Sequence, residues 1–155
     1  IKRYSPNRLL INQKGKGFKF SEKKWNMGET SHTFSWAKAD MDNDGDIDVV
    51  TSGPNQKGIF YENPQGGNSI TFDVIVKGKR NLPNVKIEIT RPDGSIQLKE
   101  TKIGGGFASF NSLKLHFGLG GVKELKKIRL MLPFKKPLEI KYPFKAGHIY
   151  KIIKD

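Results

Sequence analysis

The stretch Asp40-Met41-Asp42-Asn43-Asp44-Gly45-Asp46-Ile47-Asp48 decides how the first part of this chain folds. Five carboxylates alternate with other residues around one glycine. Carboxylates this close repel one another, but a hard cation such as Ca2+ takes about six to eight oxygen ligands and turns that repulsion into coordination. The stretch therefore predicts a calcium loop. Its expected ligands are the side chains of Asp40, Asp42, Asp44 and Asp48 and the backbone carbonyl of Asp46. The alternative is a solvated acidic turn that binds no metal.

The spacing excludes an EF-hand. An EF-hand loop also has acids at its first, third and fifth positions and a glycine at its sixth, but it needs a bidentate Glu at the twelfth. The twelfth position here is Thr51, and β-branched residues in Ile47–Val50 run into the Gly53-Pro54 turn. Because β-branched residues favour strands, the loop is expected to lead into a strand and not into a helix.

Charge and turn residues divide the chain. The net charge is +13 over 155 residues; residues 1–66 carry 10 basic and 8 acidic side chains, and residues 67–155 carry 18 and 7. The change falls at the Gly-rich turn Asn63–Asn68, which predicts two units, residues 1–66 and 67–155. No apolar run is long enough to span a membrane. Cysteine is absent, so disulfides give no clue to the compartment. Weak carboxylate sites fill where calcium is millimolar, which favours an extracytoplasmic location (secreted, periplasmic or cell surface).

Short alternating segments predict an all-β protein. In residues 1–66 the segments 7–12, 18–20, 47–50 and 58–63 are the expected strands, and Phe34, Trp36 and Ala39 are expected to face a core. In residues 67–155 about seven strands with frequent turns predict a small β-sandwich. There Val85, Ile87 and Ile89 are expected to point inward, Ile128, Leu130 and Leu132 to share one side, and Arg91–Ser95 to form a hairpin turn.

The first 65 residues or so resemble the FG-GAP (or VCBS) repeat. The resemblance is carried by Asn7–Asn12, Gly15-Lys16-Gly17-Phe18, Ala39–Val50 and Ile59–Pro64. In that family each repeat is one four-stranded blade of a β-propeller, and the Asp-rich loop binds calcium. A propeller needs about 4 to 8 blades. The resemblance therefore implies that the chain is the C-terminal piece of a longer protein, or that its blade packs against something else.

Residues 68–153 resemble the ASPIC/UnbV domain, which commonly follows FG-GAP repeats at the C-terminus of secreted proteins. The resemblance rests on Gly104-Gly105-Gly106-Phe107-Ala108-Ser109-Phe110-Asn111 and on Leu115-His116-Phe117-Gly118-Leu119-Gly120. Where that family has a Trp-Pro-Ser-Gly turn, this chain has Leu132-Pro133-Phe134-Lys135. The family's biochemical function is poorly defined, so the resemblance implies an architecture more than an activity.

Three other features are candidates for chemistry. Gly104-Gly105-Gly106 could cradle a phosphate, but no Gly-Lys-Ser/Thr follows, which favours a tight bend. His116 has no Ser or Cys nucleophile motif beside it, which favours a structural His bonded to backbone. Asp73, Glu88 and Glu100 lie in alternating strands, where outward-facing acids are routine. No catalytic constellation results, so the protein is expected not to be an enzyme. A hydrolase of surface glycans would need a convergent acid pair or nucleophile.

Two functions remain from the sequence. The first is an extracytoplasmic, non-catalytic binding or assembly module with a structural calcium ion, which docks to a protein partner or to further blades. The alternative is a module that binds acidic polysaccharide or a similar polyanion through a lysine-rich sandwich surface. Its basic residues lie near turns, at Lys77, Lys79, Arg80, Lys123, Lys126, Lys127, Lys135, Lys136, Lys141 and Lys145. A lysine-rich surface that is only solvated would have the same sequence pattern. The sequence has no recognisable base-stacking platform, so a specific nucleic-acid partner is not expected.

Overall fold

In the computed structural model, the described residues are 5–21, 27, 30–64, 66–76, 79–80 and 82–154. All regular secondary structure in these ranges is β, in fifteen strands, which confirms the predicted all-β class. Two compact units are present. The first unit comprises residues 1–42, 47–65 and 104–110, and the second unit comprises residues 43–46, 66–103 and 111–155. The predicted boundary at residue 66 stays a prediction. None of the described residues belongs to a helix able to cross a membrane.

The first unit contains three small antiparallel sheets. Two are two-stranded: β1 (Ser5–Pro6) pairs with β4 (Thr30–Ser31), and β2 (Leu10–Asn12) pairs with β3 (Phe18–Phe20). The third has three strands in chain order, β5 (Ser35–Ala39), β6 (Asp48–Ser52) and β7 (Ile59–Tyr61). The strand expected after the acidic stretch is therefore present as β6, which agrees with the rejection of an EF-hand.

The described part of the first unit buries few apolar side chains. Met27 and Tyr61 are its buried hydrophobic residues. The expectation that Phe34 and Trp36 face a core is wrong, since they are 58% and 41% exposed; Ala39 is half-buried. An alternating apolar pattern shows which side chains share a face, but a core also needs a second layer over that face. Large apolar side chains of this unit therefore face solvent, at Leu10, Ile11, Phe18, Phe20, Phe34, Trp36, Met41, Phe60, Phe107 and Phe110.

The second unit is a sandwich of two sheets, as predicted. One sheet has the order β11 (Ile96–Glu100), β10 (Lys86–Thr90), β13 (Glu124–Met131), β14 (Leu138–Lys145), all antiparallel. The other has the order β12 (Leu115–Gly120), β8 (Asn68–Val76), β15 (His148–Lys154), with the two-residue β9 (Lys79–Arg80) also paired to β8. Here β15 runs parallel to β8. The Arg91–Ser95 turn joins β10 to β11 with a bond from the Arg91 N–H to the Ser95 carbonyl, 2.9 Å.

The core of the sandwich is made from alternate residues of both sheets. Val85, Ile87 and Ile89 are buried, as the alternation predicts. Ile128 and Leu130 are also buried, and Leu132 packs against the same cluster. Phe72 on β8 lies at the centre, with edge-to-face contacts to Phe117 at 5.9 Å and to Phe144 at 5.5 Å between ring centroids. Such pairs add to the free energy of burial because ring edges and faces carry opposite partial charge. The remaining buried members are Ile70, Val74, Leu115, Leu119 and Leu125.

Candidate metal centre

The acidic stretch forms the connection between β5 and β6. Ala39 pairs with Asp48 at the base of this hairpin, so the residues between them form one short loop. The loop turns through two residues with positive φ, Asn43 at 63° and Gly45 at 94°. Asn and Gly tolerate this left-handed conformation better than other residues do. A Cβ added to Gly45 would also lie 3.0 Å from the Ser69 Oγ, so both the backbone angle and the available space favour glycine.

Three of the five predicted ligands converge. Asp40, Asp42 and Asp44 each place one carboxylate oxygen so that these atoms lie within 4.8 Å of one another. Asp40 is half-buried and the other two are exposed. Calcium binds oxygens at about 2.3–2.6 Å, so two oxygens on opposite sides of one ion lie about 5 Å apart. The spacing of the three oxygens fits a single calcium ion between them.

Asp40 has an unsatisfied buried oxygen. Its Oδ1 is shielded from solvent, and no hydrogen-bond donor among the described residues reaches it. A buried carboxylate oxygen that has lost water and gained no partner destabilises the fold. Because a cation at the cluster would replace that lost hydration, the chemistry of this atom also fits a metal ligand.

Asp46 and Asp48 are bound to backbone amides. Asp48 is 0% exposed, and its two oxygens accept hydrogen bonds from the N–H of Met41 at 3.0 Å and of Asn63 at 2.9 Å. The Asp46 Oδ2 accepts from the Gly66 N–H at 2.8 Å. These bonds hold both ends of the loop in place. They do not use every lone pair of a carboxylate, so the ligand roles of Asp48 and of the Asp46 carbonyl stay predictions.

A second interaction shapes the loop from within. The Asp46 N–H donates to Oδ1 of Asp44 at 3.0 Å, a local side-chain-to-backbone turn of the kind that Asp favours. The sequence reasoning missed the two amide donors outside the loop, those of Asn63 and Gly66. The Gly and Pro residues after β7 predict a turn there, but they do not predict where its backbone amides point. Almost every residue has the same backbone N–H group, so the sequence alone does not show which amides donate to the aspartates.

The other candidates from the sequence include His116 and the glycine run at residues 104–106. The Nδ1 of His116 lies 3.1 Å from the Thr71 Oγ1, its cross-strand partner on β8. This bond is to a hydroxyl, whereas the sequence favours a bond to backbone, and the structural role of His116 stays a prediction. The glycine run makes the predicted tight bend, with φ of 85° at Gly104 and 151° at Gly105, before Gly106 bridges to Ser109.

The outward acids of the sandwich lie next to basic side chains. Glu88 lies 3.9 Å from Arg129, and Glu100 lies 3.8 Å from Lys86. Glu139 lies 2.9 Å from Lys127 and 3.8 Å from Lys141. The hydrogen bond from Lys127 is the main cause that lowers the pKa of Glu139; desolvation opposes it, and the positive charges of Lys127, Lys141 and Arg129 lower it further. Each of these glutamates therefore has a basic neighbour on the outer face of the sheet.

The comparisons with known proteins concern mainly the second unit. A model of the family described as ASPIC and UnbV matches residues 76–155, just over half of the chain. The match begins at the last residue of β8 and extends through β15. No curated protein matches the chain. The resemblance of residues 1–65 to the FG-GAP (VCBS) repeat stays a prediction.

Proposed function

The chain belongs to the ASPIC and UnbV family, and from this premise we propose that it is a non-catalytic, extracytoplasmic assembly module. In this proposal the first unit is a propeller-type blade of the FG-GAP (VCBS) kind, held in shape by one calcium ion. It docks onto further sheets of the same kind, either in a longer form of its own chain or in a protein partner.

The observation that carries the proposal is the composition of the β5–β6–β7 sheet. On one face the cross-strand row is Ala37, Val50 and Phe60, and Phe60 is 48% exposed. On the other face the row is Trp36, Thr51 and Ile59. An antiparallel sheet with one wet face alternates apolar and polar side chains, whereas this sheet offers apolar side chains on both faces. Such a sheet gains stability when another layer covers each face.

A stack of blades supplies two such layers. Propellers arrange about four to eight four-stranded sheets around an axis, so each blade lies between two neighbours. The three antiparallel strands in chain order match most of one blade. The exposed Phe60 and Trp36 would then become buried contacts between blades. This accounts for the scarcity of buried apolar side chains in the described part of the first unit.

Calcium would stabilise the hairpin that builds this sheet. The carboxylates of Asp40, Asp42 and Asp44 would hold the ion, and the buried Oδ1 of Asp40 would gain a partner. Because the loop joins β5 to β6, metal binding and the folding of the sheet are coupled. A site with two exposed ligands fills most readily where calcium is millimolar, which supports the extracytoplasmic assignment.

Association is tested by sedimentation equilibrium of the chain in calcium over a range of concentrations. A second copy offers the same apolar sheet, so the chain is expected to self-associate, and Phe60→Lys is expected to weaken association without changing the thermal midpoint much. The matched control is Leu98→Lys on the outer face of the sandwich, where the side chain is similarly exposed. A monodisperse monomer at all concentrations would count against docking through this sheet.

Calcium binding is tested separately by titration calorimetry on the unmodified chain and on the double variant Asp42→Ala, Asp44→Ala. Binding in the first and its loss in the second supports the metal site. If the chain binds no calcium but still associates through Phe60, the result supports docking through the sheet and rejects the metal site.

The polyanion-binding alternative is weakened on one face of the sandwich, because Lys86, Lys127 and Lys141 lie beside glutamates. It is favoured by exposed lysines that take no part in these ion pairs of the described residues, among them Lys123, Lys126, Lys135, Lys136 and Lys145. Heparin retention that collapses with moderate salt would support it, and elution at low salt would argue against it.

A further inference from the structure

The two ends of the sandwich carry different side chains, and two hydrogen bonds mark one of these ends. Arg91 Nη2 and Gln97 Nε2 both donate to the Gly118 carbonyl, at 2.8 and 3.1 Å. These bonds join the β10–β11 turn to the end of β12 and define one end. The opposite end therefore carries the exit of β11, the turn between β13 and β14, and the last residues of β8 and β15, because β15 runs parallel to β8.

The β13–β14 turn at this opposite end holds a strained aromatic residue. The Lys135 N–H donates to the Leu132 carbonyl at 3.2 Å, with Pro133 and Phe134 between them. Phe134 has φ of 59° and is 108% exposed, as open as in an extended chain. Pro followed by a residue with positive φ is the arrangement of a type II turn, whose third position favours Gly or Asn. A phenylalanine there is unfavourable both in its backbone and in its hydration.

Residues with a strained backbone cluster at functional sites, where the strain holds a side chain in the position that its function needs. Phe134 projects beyond the turn and is followed by Lys135 and Lys136, which are both exposed. The last residues of β15 lie at the same end, where Ile153 and Lys154 are also exposed. Within the described residues, none of the ion pairs of the sandwich involves these three lysines. We call the set Phe134, Lys135, Lys136, Ile153 and Lys154 the tip surface.

We propose that the tip surface binds anionic phospholipid membranes peripherally. Phe134 and Ile153 enter the boundary between headgroups and acyl chains, and the lysines of the tip surface contact lipid phosphates. An exposed apolar side chain followed in the chain by basic ones matches the polarity gradient of that boundary, and each lysine gains electrostatic attraction from an anionic leaflet. This inference depends neither on the calcium site nor on docking through the β5–β6–β7 sheet.

The shape of the surface favours a bilayer over the other partners of matching charge. A soluble polyanion is bound by lysines alone and gives no reason for a strained, fully exposed phenylalanine. A single-stranded nucleic acid is bound along a groove by successive aromatic platforms, whereas the tip surface has one aromatic ring, on an exposed turn. A lipid surface is the partner that uses both the projecting ring and the charge.

The test is co-sedimentation of the unmodified chain with vesicles of phosphatidylcholine, and with vesicles of equal parts phosphatidylcholine and phosphatidylglycerol. Binding is expected only to the anionic vesicles. Phe134→Ala is expected to weaken it about tenfold through lost apolar burial, and Lys135→Ala, Lys136→Ala about thirtyfold, at about 1 kcal/mol for each lysine. The charge-matched control is Lys126→Ala, Lys145→Ala, which removes two exposed lysines at the other end of the same strands.

A second measurement reports insertion directly. In the Phe134→Trp variant, with the emission of the parent chain's two Trp residues subtracted, anionic vesicles are expected to shift the new emission to shorter wavelength. The proposal is overturned if the anionic vesicles pellet no protein, or if the control pair weakens binding as much as the tip pair does. It is also overturned if heparin displaces the chain while Phe134→Ala has no effect, because that result identifies a polyanion surface. An unshifted emission would exclude insertion.

Discussion

Replacing Asp42 by Asn is expected to change the stability of the chain in opposite directions with and without calcium. In the calcium-free chain three carboxylate oxygens lie within 4.8 Å of one another. At that distance two unit charges repel by about 0.9 kcal/mol with the dielectric constant of water. Asp42 takes part in two of the three pairs, and salt at physiological strength screens roughly half of the repulsion. The variant should therefore be more stable than the parent by about 1 kcal/mol without calcium.

With calcium the order should reverse. The variant offers the ion one carboxylate fewer, so it binds calcium more weakly and gains less free energy of unfolding from the bound metal. At a calcium concentration one hundred times the dissociation constant of the parent, the parent gains about 2.7 kcal/mol. The two stability curves should then cross as calcium is added.

The assay is chemical unfolding followed by fluorescence, in chelator and in a series of calcium concentrations. The matched control is Glu62→Gln, an exposed single carboxylate of the same unit outside the cluster, which should show no crossing. Destabilisation of the Asp42→Asn variant by the same amount in both conditions would refute the reasoning, because the aspartate would then act through structure alone.

Three further predictions concern the sandwich. Thr101→Val removes the buried hydroxyl that accepts from the Val85 N–H at 3.0 Å and should lower the free energy of unfolding by about 1–3 kcal/mol, as measured in urea; an unchanged midpoint would contradict this. Phe134→Asn should raise stability by up to about 1 kcal/mol, because Asn tolerates the positive φ; a lower thermal midpoint would argue against strain. The pKa of Glu139 is lowered from 4.5, so its stabilising contribution is present above 4.5 and is lost as the pH falls through the lowered value. Lys127→Met should move that pKa upward in an NMR titration, and no movement would show that this hydrogen bond is not the cause.

Much of the fold is contained in local sequence pattern. The alternation of Val85, Ile87 and Ile89 identified β10 and its buried face, since strand side chains point to opposite sides with a period of two. The Pro-Asp-Gly turn fixed the hairpin that follows it. The acids and Gly45 predicted a turn between strands, which the structure has between β5 and β6.

Exposure in the first unit could not be read from the same pattern. Phe34 and Trp36 alternate like core residues, yet they are exposed. Alternation tells which side chains share a face, but burial depends on whether another layer covers that face, and the layer comes from distant sequence or from another chain.

In the acidic loop, too, some features were predictable from the local sequence and others depended on distant parts of the chain. The spacing of Asp40, Asp42 and Asp44 on one short loop was enough to predict that their oxygens meet, because a tight turn brings near neighbours together. The tertiary structure decided that Asp48 is held by the Asn63 amide and Asp46 by the Gly66 amide. It also decided that Phe134 and Ile153 are exposed near one end of the sandwich. These placements depend on pairings between strands far apart in the chain, and such pairings are set by the free energy of the whole fold and not by any local stretch of residues.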